Sequence, residues 1–172
     1  MRKYLLSAIS AMAVAVCAAE PVYDGYAVDV PPRWKVFGKS RPDSAFFGRR
    51  DSTPRHSAVA VVRISPVAPR RLTMAEVRQA VEAKMKQQET DRIKEVKFTL
   101  KETVVAGASA LEVRMSCLDK GTTPISRMES QTFLVITPTN RLLHMSVSER
   151  SSEVGTRFDD KAAAEFFKAV HW

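Results

Sequence analysis

From Ala58 to Ile64 the chain reads Ala-Val-Ala-Val-Val-Arg-Ile, with apolar residues at both odd and even positions. A strand sends alternate side chains to opposite faces of its sheet. Val59 and Val61 therefore take one face, and Ala60, Val62 and Ile64 the other. Leaving either face in water would expose a row of branched side chains, so residues 57–65 predict an interior strand covered on two sides. Phe133 to Ile136 has the same property. Two such strands require layers above and below a sheet.

The remaining alternations pair off around them. Gly25 to Val30 reads as a strand with Tyr26, Val28 and Val30 on one face, ended by Pro31-Pro32, since neither proline has an amide hydrogen for a ladder. Trp34 to Phe37 resumes an extended path, and Ala45 to Arg49 forms a short strand between turns. Val96 to Val105 and Ser109 to Cys117 make a pair joined through Ala106-Gly107-Ala108, where glycine supplies the positive φ of a tight turn. Arg127 to Thr137 and Leu142 to Glu149 make a second pair, joined by Pro138-Thr139-Asn140-Arg141. Hairpins make the sheet mainly antiparallel.

Two helices are signalled. Thr73 with Glu76 is a capping box, and Leu72 with Val77 forms the staple. Met74, Val77, Val81 and Met85 then give one apolar stripe, with the end expected near Asp91. Asp159 or Asp160 caps the second helix, whose stripe is Ala163, Phe166, Phe167 and Val170. The fold class is α+β: one domain over residues 20–172, a mainly antiparallel sheet packed with helices. Trp34, Val61, Leu111, Cys117, Phe133 and Phe166 are expected in a single buried cluster.

The stretch Gly25-Tyr26-Ala27-Val28-Asp29-Val30-Pro31-Pro32-Arg33-Trp34-Lys35-Val36 resembles the opening of the PsbP-like α/β/α sandwich group: an aromatic strand, proline, tryptophan, then an apolar residue. The likeness continues through the capped helix after Leu72, the hairpin at Gly107 and the last helix with Phe166 and Phe167. Arg33 stands where such families often have glycine. The resemblance implies a PsbP-like sandwich and a binding or accessory role without a shared active site. It transfers no functional residues.

The N-terminus has the parts of a secretory leader. Arg2 and Lys3 open it, Leu5 to Val16 is apolar apart from Ser7 and Ser10, and Cys17-Ala18-Ala19 offers small residues for cleavage. That apolar run falls short of the roughly 20 residues a membrane span takes. Residues 1–19 are thus expected to be removed, leaving Glu20 first and the protein periplasmic or secreted. The alternative is lipid attachment at Cys17, against which Val16 stands where Gly, Ala or Ser is usual. No later run is long enough to cross a membrane. Beyond the leader only Cys117 remains, so the fold must rest on its core rather than on disulfides.

Charge is concentrated. Between Pro31 and Leu72 lie ten basic residues and two acids, a formal +8 that equals the net charge of the whole chain. Eight of the ten are arginine, the residue that grips phosphate and carboxylate in a bidentate fork. Arg41, Arg49, Arg50, Arg55, Arg70 and Arg71 lie in or beside turns and are expected to form a patch for an anionic partner. Solubility alone is the competing reading.

No catalytic pattern survives inspection. Gly38-Lys39-Ser40 lacks the first glycine of a phosphate loop, with Arg33 in its place, and Pro42 opposes the helix that must follow. Ser109 after Gly107 lacks the second glycine of a nucleophile elbow, since Leu111 stands there, and it lies between two strands. Cys117 alternates in line with Leu111, Val113 and Met115, so it reads as buried and structural. His56, His144 and His171 share no metal-ligand spacing. Asp159-Asp160 reads as a cap, and Trp34 as a core anchor. The expectation is a non-enzymatic binding or accessory domain of the bacterial cell envelope, with no cofactor or metal, meeting an envelope protein or anionic component. Nucleic acid is not expected, given export. The alternative is a peripheral envelope protein whose Arg-rich segment binds anionic lipid or polysaccharide.

Overall fold

The computed structural model describes residues 23–38 and 41–172. The leader reading, with Cys17, and Lys39 lie outside the described residues. In chain order the elements are β1 (Ala27–Val28), β2 (Trp34–Val36), β3 (Ser44–Arg49), β4 (His56–Ile64), α1 (Met74–Met85), β5 (Ile93–Val105), β6 (Ala108–Asp119), β7 (Ser126–Ile136), β8 (Leu142–Ser151), α2 (Asp160–Lys168) and β9 (Val170–His171). Seven strands form one sheet in the order β2-β3-β4-β8-β7-β6-β5, and β1 pairs with β9 in a separate ribbon. Every pairing is antiparallel. The fold is α+β, as the hairpins imply.

Register sorts the side chains. Phe47 opposes Ala60, Val62 opposes Met145, and Val135 opposes Leu143. With Trp34 and α2's Phe166 they make the larger core. On the other face Leu111 opposes Leu134 and Ile136 opposes Leu142, and α1 lays Val77 over Leu111 and Val113. The two cores are separate because alternation sends neighbouring residues of a strand to opposite sides.

Several expectations need correction on that ground. The six core residues do not share one cluster. Trp34 and Phe166 lie in the α2 core with Phe133 partly buried against it, whereas Leu111 lies under α1. Cys117 is buried but belongs to neither cluster, and Val61 is only half-buried. β4 is accordingly sealed on one face by Ala58, Ala60, Val62 and Ile64, while Val59 and Val61 remain half-covered. Seven strands about 4.8 Å apart span ~29 Å, and one helix about 10 Å wide covers only part of that.

Local structure departs in smaller ways. The capping box forms: the Glu76 amide donates to the Thr73 hydroxyl and the Thr73 amide to the Glu76 carboxylate. The helix nevertheless ends at Met85, short of Asp91. The β5–β6 turn has two residues rather than three, since Val105 already pairs with Ala108. Ala106 and Gly107 both take positive φ, 47° and 80°, as the mirror-image hairpin turn requires. The first strand shrinks to two residues, and β9, absent from the sequence reading, is its partner.

Candidate functional site

The six arginines do not meet in one place. β3 separates them: Arg41 precedes its first residue, while Arg49, Arg50 and Arg55 lie at or beyond its last, and six extended residues span about 17 Å. Arg70 and Arg71 follow the far end of β4. Arg41, Arg50, Arg55, Arg70 and Arg71 are exposed. Arg50 donates to the Trp34 carbonyl at 3.0 Å, and Arg70 pairs with Glu76 at 2.6 Å.

Arg49 has a different role. It continues the inward row of Ala45 and Phe47 and is only 7% exposed. Its Nη1 donates to Glu149 at 3.0 Å and to Asp159 at 3.1 Å, and its Nη2 donates to Asp51 at 3.0 Å. Asp159 caps α2, accepting from the Ala162 amide at 2.9 Å and from Arg33 at 2.9 Å. Burial works to raise the Asp159 carboxyl, but the Ala162 amide and Arg33 outweigh it and hold its pKa below the ordinary value. Arg49 is thus a tie between β3, β8 and α2, withdrawn from any partner surface.

The groups capable of chemistry are dispersed. Cys117 is buried, and burial with Asp119 nearby pushes its thiol pKa up, away from the reactive thiolate. Ser109 is exposed near the start of β6. His56 lies 3.3 Å from Glu149, and His171 lies 2.9 Å from Asp29. His144 is half-buried on the α1 side, and no cluster of metal-binding groups exists among the described residues. Asp119, held by Arg92 at 2.7 and 2.9 Å and by Arg150 at 3.0 Å, is pulled down to about 2. It is an anchored carboxylate rather than a proton carrier.

What the fold does build is a cleft of about 750 Å³ between α2, the chain after it, and the β5–β7 part of the sheet. Phe133, Phe167, Val170 and Trp172 supply apolar walls, with Arg114 and Gln131 at the polar side. Phe133 and Phe167 meet edge to face at 4.9 Å. Arg114 bridges Glu112 at 2.9 Å and Asp160 of α2 at 2.7 Å, and Gln131 donates to Glu112 at 2.7 Å. A second opening of about 730 Å³ shares His171 and Trp172 with the first. The cleft forms where α2's cover ends and the sheet's polar half begins. Sequence reasoning placed Phe133, Phe167 and Val170 in the core. It missed Arg114, Gln131 and Trp172, because only the return of β9 to β1 brings Trp172 beside the helix.

No family model matches this chain, and no curated protein matches it. Among solved structures, the chain is similar to LpqN of Mycobacterium tuberculosis, described as involved in cell envelope biogenesis. The two share 14% identity over 89% of this chain and 86% of that one, with a TM-score of 0.53. At that identity the likeness shows the fold alone. No helix among the described residues is long and apolar enough to cross a membrane.

Proposed function

We propose that this protein is an exported, non-enzymatic binding domain of the bacterial cell envelope, of PsbP-like sandwich type, and that the cleft beside α2 is its ligand site. The observation that carries the reading is the cleft itself: a largely apolar concavity with a few convergent polar groups, the usual make-up of a ligand site. The ligand class that matches is an apolar or amphiphilic small molecule, its apolar part against Phe133 and Phe167. Two further observations support it. Residues 1–19 have the leader pattern. The fold neighbour LpqN is described as an envelope biogenesis protein.

The test is to fill the cleft. Ala164 is an exposed α2 residue in its lining, so Ala164→Trp adds bulk without disturbing either core. The chain from Glu20 onward should bind the uncharged dye N-phenyl-1-naphthylamine saturably, and Ala164→Trp should weaken binding by at least about tenfold at an unchanged melting temperature. Equal binding by the filled variant would refute the site.

A further inference from the structure

We infer that the β2 edge of the sheet is a contact surface for an anionic lipid bilayer, with Val36 and Phe37 reaching into the headgroup region and Lys35, Arg41 and Arg63 meeting lipid phosphates. This surface is separate from the cleft and does not depend on it. Val36 is 45% exposed and Phe37 is 58% exposed, two adjacent large apolar side chains in water. β2 is the outermost strand, and Val36 pairs with Phe47. Alternation then puts Val36 on the α2 side and Phe37 on the other, against Gly48.

That geometry selects the occupant. A helix or a second sheet docked on one face would cover one of the two side chains and leave the other wet. A fluid headgroup layer surrounds a protruding rim and covers both. The charges agree. Lys35, Arg41 and Arg63 are exposed. None of them takes part in an ion pair among the described residues. Arg63, on β4 two strands in from the edge, stands over the half-buried Phe46 ring of β3, 5.5 Å from its centroid, and so holds its charge on the same face of the sheet as Lys35 and Phe37. Asp43 is the one acid within residues 35–50, and Asp24, brought beside Pro42 by its amide, is paired with Arg141. A second copy of the chain would bring like charges together, so self-association through this rim is opposed. The free backbone groups of an edge strand cannot enter hydrocarbon, so the contact stays at headgroup depth.

Vesicle sedimentation tests this with the chain from Glu20 onward, using phosphatidylglycerol–phosphatidylcholine vesicles against phosphatidylcholine alone. Binding should favour the anionic vesicles and weaken as salt rises. Lys35→Glu with Arg63→Glu should lose at least about twentyfold, at about fivefold per basic residue near an anionic leaflet. Phe37→Ser should lose about tenfold through its apolar contact. Lys97→Glu with Lys101→Glu, the same charge change on the opposite edge strand β5, should lose less than about threefold because it lies beyond the screening length. If Arg63→Glu lowers the melting temperature, Lys35→Glu with Phe37→Ser, both at exposed positions, replaces it and should lose at least about twentyfold. Equal loss from charge reversal at either edge, unchanged binding by Phe37→Ser, equal binding to both vesicle types, or no binding to either overturns the inference.

Discussion

His144 lies on the α1 face of β8, opposite Arg63 of β4. Burial first, then the nearby Arg63 and Lys84, push its pKa from 6.5 down to about 4. The folded state therefore holds a neutral imidazole over a range in which the unfolded chain takes up a proton. Its contribution to stability is complete above about pH 6.5 and declines as pH falls toward 4, on the order of 3 kcal/mol in all. His144→Gln removes the titrating group. Urea unfolding between pH 7 and 4.5 should show the parent losing more stability than the variant, and parallel losses would refute this account. Legibility at this scale was uneven. The line of Leu111, Val113 and Met115 marked Cys117 as buried. His144 alternates out of line with Leu143, Met145 and Val147, which implies exposure or packing under a second layer, but nothing local marked its cationic neighbours, which come from β4 and α1.

At the scale of elements, α1 shows where sequence suffices and where it fails. Its start is chemically local. Thr73 and Glu76 satisfy amide hydrogens that the first helical turn leaves unpaired, whatever the helix packs on. Thr73→Ala should cost about 1 kcal/mol in chemical denaturation, and Thr73→Ser should restore most of it. An equal loss from both would mean that Thr73 acts through something other than its hydroxyl. The end is not local. Lys86 to Glu89 are good helix formers with no apolar side chain to bury, and the chain tightens into turns there, the Gln87 and Gln88 amides donating to Lys84 and Met85 carbonyls. Asn140 makes a similar point. Its side chain accepts from the Leu72 amide and donates to the Ala68 and Arg70 carbonyls, pinning the lead into α1 to the β7–β8 turn. A lone asparagine in a turn gives no sign of such distant partners.

At the scale of the whole molecule, Arg49 joins three elements that come together only when the sheet closes. Removing it takes away the guanidinium on Glu149 Oε1, leaving that 5%-exposed carboxylate only His56 and the Asp159 amide on Oε2, and weakens the Asp159 cap of α2. Arg49→Met should lower stability by about 3 kcal/mol, since breaking a buried pair leaves a charge uncompensated. Adding Glu149→Gln should recover part of that loss, and additive losses in the double variant would show that the two side chains do not interact. The sequence by itself determined the α+β class, the antiparallel hairpins, the starts of both helices and the burial of Trp34 and Cys117. The burial of Trp34 follows from the general burial of tryptophan, and each of the others from alternation, turn geometry or capping within a few residues. Only the tertiary structure decided that β4 pairs with β8, that β9 returns to β1, and that Arg49 turns inward while Arg41 and Arg70 stay in water. It also decided that each helix covers part of a seven-stranded face. The physical reason is width. A single helix is narrower than the sheet, and where its cover ends, the cleft and the partly covered face of β4 are set by packing between residues far apart in the chain.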